Sequence, residues 1–130
     1  MMFGVLAKKN STNSEKVAVM SKQRAKGTAA ETAVVNYLKA NGFPYAERRA
    51  LSGALDKGDV TGIPGVVIEV KNHAALDLAG WLNELMREMD NAKAEFGTVV
   101  AKRRGTTDPG QWYAIMPFEV WVAMLRALDE

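Results

Sequence analysis

The chain contains no cysteine, which excludes a disulfide framework and any thiolate metal site. It has a single histidine, His73, which excludes an all-histidine zinc centre within one chain. Any metal it binds must be held by oxygen ligands, and that favours Mg²⁺, with Mn²⁺ as a substitute. No apolar run approaches the ~20 residues of a membrane span. Met1–Ala7 is too short for the core of a signal peptide and lacks a basic lead-in. The expectation is a cytoplasmic protein with no membrane partner. A dominant charge is missing too: 17 Lys and Arg stand against 15 Asp and Glu, a net of +2, so net charge alone does not indicate a nucleic-acid partner.

At 130 residues and 48% hydrophobic content, the chain is long and apolar enough for one domain with a real core. Residues 1–21 read as a flexible arm, because Asn10-Ser11-Thr12-Asn13-Ser14 is polar and turn-rich and no period emerges. The domain is then expected over 22–130. A helix is predicted over 28–41, with Thr28 as N-cap and Glu31 completing a capping box, and with Gly42 as its stop. Strands are predicted over 45–51, 58–61 and 66–71, the last two joined by the turn Gly62-Ile63-Pro64-Gly65. A second helix over about 77–96 carries the stripe Leu78, Leu82, Leu85, Met86, Met89 and Phe96, with Trp81 packing on Leu85. Strands over 98–102 and 111–116 and a helix over 118–128 complete the order α-β-β-β-α-β-β-α. That order predicts a single α/β domain, a mixed sheet flanked by helices on both faces. Trp112, Tyr113 and Trp121 are expected in the core.

The last helix is apolar nearly all round, broken only by Glu119 and Arg126. Phe118, Val122 and Leu125 form one line and Trp121, Met124 and Leu128 another. One line should cover the sheet and the other a second subunit, so a homodimer is expected. Charges are also sorted. Lys22, Arg24 and Lys26 cluster, as do Arg48-Arg49 and Lys102-Arg103-Arg104, whereas Asp77, Glu84, Glu88, Asp90 and Glu95 make the second helix acidic. A basic side opposite an acidic side suits a binder of the phosphate backbone, with DNA as the expected partner.

The strand Val66-Val67-Ile68-Glu69-Val70-Lys71 is β-branched except for two charges. Alternation points Glu69 and Lys71 to one face. Asp59, ahead of the turn, lies on the neighbouring strand where it can face Glu69. Two carboxylates meeting at one point repel each other unless a cation lies between them. A divalent metal with a lysine beside it satisfies that need, and is also the apparatus for hydrolysing a phosphodiester.

Asp59 followed ten residues later by Glu69-Val70-Lys71 resembles the signature of the PD-(D/E)XK nuclease superfamily, with Gly58 where that signature often has Pro. Lys26-Gly27-Thr28-Ala29-Ala30-Glu31 in a helix, then Asn41-Gly42-Phe43, the pair Arg48-Arg49 and the loop Ser52-Gly53 resemble the archaeal-type Holliday junction resolvases within it. The resemblance covers roughly residues 22–105. It implies a restriction-endonuclease-like sheet and a homodimeric, Mg²⁺-dependent endonuclease acting on branched DNA such as a four-way junction. It implies Asp59, Glu69 and the Val70 carbonyl as metal ligands, and Lys71 as the residue that orients the attacking water or stabilises the phosphate. Glu31 is then an outer acid reaching the metal through water, or else only the partner of Thr28. Lys26, one of Arg48 and Arg49, Ser52, and Lys102-Arg103-Arg104 are the expected DNA contacts.

Overall fold

Helix α1 (Asn13–Ala40) begins well before the predicted start at Thr28. In the computed structural model, which describes residues 12–50 and 55–129, the N-cap is Thr12. Its side chain accepts from the Glu15 amide at 3.1 Å, and the Glu15 carboxylate accepts from the Thr12 amide at 3.2 Å. This is a capping box, so the one assigned to Thr28 and Glu31 is corrected: both residues lie inside the helix. Residues 13–21, expected in a flexible arm, are helical as well. They are exposed on every side, and the helix is buried only at Ala30, Val34 and Val35.

Strands β1 (Glu47–Arg48), β2 (Val60–Thr61) and β3 (Val66–Lys71) pair antiparallel in sequence. Helix α2 (Leu78–Ala92) then returns the chain so that β4 (Phe96–Ala101) lies parallel to β3, with Glu69 opposite Val99. A short 3₁₀ turn (Pro109–Gln111) precedes β5 (Tyr113–Ile115), antiparallel to β4, and helix α3 (Phe118–Leu128) ends the described chain. The strands run in sequence order across one five-stranded mixed sheet, a small α/β domain of the predicted element order. Helix α2 stops earlier than predicted. Lys93 adopts a left-handed φ of 52°, and Phe96 opens β4 instead of closing the helical stripe. Gly97 lies inside β4, where a Cβ would stand 2.8 Å from Met89 Sδ.

The alternation of β3 divides the core. Ile68 and Val70 pack with Ala30, Val34, Val35, Val60 and Trp112 on the α1 face. Val67 packs with Trp81, Leu85, Met89, Val99 and Val120 on the α2 face. Trp81 and Leu85 join as expected. Trp112 is buried, but Tyr113 and Trp121 are exposed. Helix α3 departs most from expectation, because neither apolar line covers the sheet. Val120 alone is buried, and Phe118, Trp121, Met124, Leu125 and Leu128 all remain exposed. Position 58 requires glycine. Its φ of 97° is closed to proline, and a Cβ there would meet Val67 Cγ1 at 2.9 Å.

Candidate functional site

The register that pairs Val60 with Ile68 brings Asp59 opposite Glu69 one step further along. There the ladder ends. The Asp59 amide donates to the Ile68 carbonyl at 2.9 Å, but the Val70 amide donates to Asp59 Oδ2 at 2.8 Å. The carboxylate takes the place of a backbone acceptor, so Asp59 is fixed where β2 and β3 part. Glu69 is 3% exposed on the α2 face, and its Oε2 is buried without a hydrogen-bond partner. Lys71 follows on the same face and donates to both oxygens of Glu84, at 3.3 and 3.1 Å.

Helix α2 adds carboxylates that the sequence alone assigns to a solvated acidic side. Glu88 is 1% exposed, and both of its oxygens lack partners. Asp56 approaches from the preceding loop. Its Oδ1 accepts from the Gly58 amide at 2.9 Å, and its carbonyl accepts from the Asn91 side chain at 2.8 Å, which ties this loop to α2. Carboxylate oxygens of Asp56, Glu69, Glu84 and Glu88 all lie within 4.8 Å of one another, and together they could hold a metal ion. A cleft of about 490 Å³ lined by Asp56, Glu84, Arg87, Glu88, Asp90 and Asn91 opens from them. The sequence signal for Glu88 is its place in the buried row Trp81, Leu85, Glu88.

Glu31 lies on the α1 side of Asp59. Its Oε1 accepts from Arg48 Nε at 3.2 Å, an ion pair reaching from the helix to β1. Arg48 and Arg49 diverge as adjacent strand residues must. Arg49 lines a separate cleft with Lys57, Thr61, Ile63 and Ala92, and its Nε is buried without a partner. The Arg49 amide donates to the Asp59 carbonyl at 2.8 Å, so its backbone adjoins Asp59 while its side chain lines that other cleft. Ser52 and Gly53 lie outside the described residues.

The predicted basic residues meet. Lys26 from α1 and Lys102, Arg103 and Arg104 after β4 line one cleft of about 660 Å³, with Asn72, His73 and Trp112. Asn72 and His73 directly follow Lys71, so this cleft opens at the end of β3 that carries the carboxylates. Lys102 Nζ stands 5.7 Å from the centre of the Trp112 ring, and the indole donates to the Thr106 carbonyl at 3.0 Å. Trp112 thus supports the cleft from beneath.

Charge in the site is lopsided. Burial pushes the Glu88 carboxyl up to about 7, and the Asp56 and Glu84 carboxylates add to the rise. Burial, then the adjoining carboxyls of Asp59, Glu88 and Glu84, raise Glu69 far above the ordinary carboxylate range. Burial and the Asp59 charge raise Glu31, against the pull of Arg48. Burial opposes ionisation of Glu84, but hydrogen bonds from Glu69 and Lys71 outweigh it and hold that carboxyl low. Burial likewise disfavours the Lys71 ammonium, but Glu84, Glu69 and Asp59 together keep it above its usual value.

These shifts set a pH dependence for the metal-free protein. Glu69 and Glu88 hold protons in the folded state that the unfolded chain releases near pH 4.5. Stability from them is full below that pH and falls as pH rises, the Glu88 part being lost by about 7 and the Glu69 part falling on beyond it. Glu84 has the opposite sign, but its window lies below 4.5. In EDTA, the melting temperature should therefore fall from about pH 5 to about pH 8, and Glu88→Gln should flatten that fall. A melting temperature that climbs across the same window would contradict this assignment of charge.

No protein family, curated protein or solved structure compared with the chain matches it significantly.

Proposed function

We propose that the protein is a metal-dependent endodeoxyribonuclease of the PD-(D/E)XK kind on a restriction-endonuclease-like fold. The observation that carries this reading is the meeting of Asp59 and Glu69, on the same face as Lys71, where β2 and β3 part. The basic cleft at the adjoining end of the sheet supports a polyanionic substrate.

The donors suit a hard divalent cation, since all are oxygens and Glu69 Oε2 is buried without a partner. Asp59, Glu69 and the Val70 carbonyl would hold Mg²⁺, or Mn²⁺ in its place. When bound, the ion would neutralise phosphate charge and acidify a coordinated water. The protein's own groups do the remainder. Glu84 holds the Lys71 ammonium in place and charged, ready to face a phosphate oxygen or the attacking water. Arg48, braced by Glu31, offers a guanidinium to the strand at the α1 edge. Lys26, Lys102, Arg103 and Arg104 would hold the DNA backbone without reading its sequence.

The substrate we infer is branched DNA, a four-way junction, cut by a homodimer as a resolvase would cut it. The bare apolar side of α3 supports the dimer, because a second copy would cover it and supply two related sites for two related strands.

The nuclease reading is tested by a panel of four-way junction, flap, nicked and linear duplex DNA, each with Mg²⁺ and with EDTA. The wild-type protein should cut only with Mg²⁺, and the junction fastest. Asp59→Ala should lower the rate by about a hundredfold or more while still binding DNA. Full activity in that variant would sink the reading; faster cutting of a flap would change the substrate alone.

Two further outcomes follow from the same geometry. Replacing Lys102, Arg103 and Arg104 together with alanine should weaken binding to every duplex alike. The slope of log K against log salt should drop by roughly 0.9 for each phosphate that the variant no longer neutralises. An unchanged slope would move the DNA to another surface. Met124→Glu, in the exposed line of α3, should give a folded monomer in sedimentation. A wild-type protein already monomeric at micromolar concentration would contradict the dimer and leave the hydrolytic chemistry standing.

A further inference from the structure

The carboxylates that α2 brings to Glu69 exceed what the nuclease reading uses. Glu88 and Asp56 have no role in it, and Glu84 serves only to hold Lys71. Yet a helix in a small domain has buried Glu88 to 1% exposure, on the same side as Trp81, Leu85 and Met89. A buried carboxylate without a partner is strongly unfavourable. Here three such oxygens, Glu69 Oε2 and both of Glu88, meet no donor other than a neighbouring carboxyl, and they belong to residues whose oxygens gather with those of Asp56 and Glu84. Lys71 is the only cation paired with the group among the described residues, and it engages Glu84 alone.

The geometry points to a second divalent-cation site, caged by Asp56, Glu69, Glu84 and Glu88 between β3 and α2, separate from the Asp59 ligand and sharing only Glu69 with it. The donor set selects a hard cation. Oxygens on opposite sides of Ca²⁺, at 2.3–2.6 Å from it, lie about 4.6–5.2 Å apart. Carboxylate oxygens that all lie within 4.8 Å of one another can therefore share one hard divalent cation. The ion has a route in, because Asp56, Glu84 and Glu88 also line the cleft that opens beside them. Three of the four donors are set by rigid elements, Glu69 by the sheet and Glu84 and Glu88 by successive turns of α2. The fourth is steadied by Asn91. The bound ion clamps α2 to β3 and fixes the orientation of Glu69. The site stands whether or not the chain cuts DNA.

The test counts bound Mn²⁺ on the full, metal-stripped chain at pH 8 by the loss of the free-ion paramagnetic signal, with Ca²⁺ as competitor. Wild type and Asp59→Asn should each retain a site from which Ca²⁺ displaces Mn²⁺. Glu88→Gln and the exposed Asp56→Asn should each weaken that site tenfold or more, and Asp56→Asn keeps the comparison sound should Glu88→Gln fold poorly. Wild-type affinity in Asp56→Asn, or loss of all bound Mn²⁺ in Asp59→Asn, would overturn the cage. DNA cleavage does not enter the measurement. Ion binding without cleavage would therefore contradict the nuclease reading alone, and cleavage without this site would contradict the cage alone.

Discussion

A carboxylate has been put where the fold needs a hydrocarbon. Glu69 occupies a central strand position opposite Val99, and it is 3% exposed. Its charged form is opposed first by burial and then by three further carboxyls. The surrounding structure manages that conflict. Asp59 ends the β2–β3 ladder with its side chain, Lys71 draws Glu84 inward, and Asp56 is held over α2 by Asn91. Removing these groups would leave an ordinary three-helix α/β domain. Their presence makes one end of it a site.

The charges on the two faces divide the labour. Acidic groups converge beneath β3 on the α2 side, and basic groups converge beyond the strand ends around Asn72 and His73. A phosphodiester drawn by the basic cleft would be brought toward carboxylates that repel it unless a cation intervenes. Under the proposed nuclease reading, affinity for DNA and demand for metal would be linked: the cleft would attract the anion, and a metal would make its approach to Glu69 tolerable. Among the described residues no helix is long and apolar enough to cross a membrane. The exposed apolar side chains of α3 would be covered in the dimer proposed above.

Much of this is legible in the sequence, for identifiable reasons. Two charges in a β-branched run reveal β3, and alternation puts Glu69 and Lys71 on one face. The turn at 62–65 implies a register that brings Asp59 to Glu69. The convergence of Lys26 with Lys102, Arg103 and Arg104 follows from the order of elements. What escapes is decided by longer-range packing. The acids of α2 read as a solvated face, although the row Trp81, Leu85, Glu88 already puts one of them on the buried side. The polar run Asn10–Ser14 reads as part of a flexible arm, and the Thr12–Glu15 spacing that caps the true helix competes with the same spacing at Thr28–Glu31. Helix α3 is expected to lay one apolar line on the sheet. Which residue it buries depends on its angle of approach, and that is not written in its periodicity.

The account depends on a cation meeting the buried carboxylates around Glu69. Crystals of the full chain grown with Mn²⁺ and measured at a wavelength where manganese scatters anomalously test this most directly. The account predicts an anomalous peak at bonding distance, about 2.2 Å, from a Glu69 oxygen. A well-ordered crystal with no peak there, and with Glu69 and Glu88 sharing a proton instead, would contradict it.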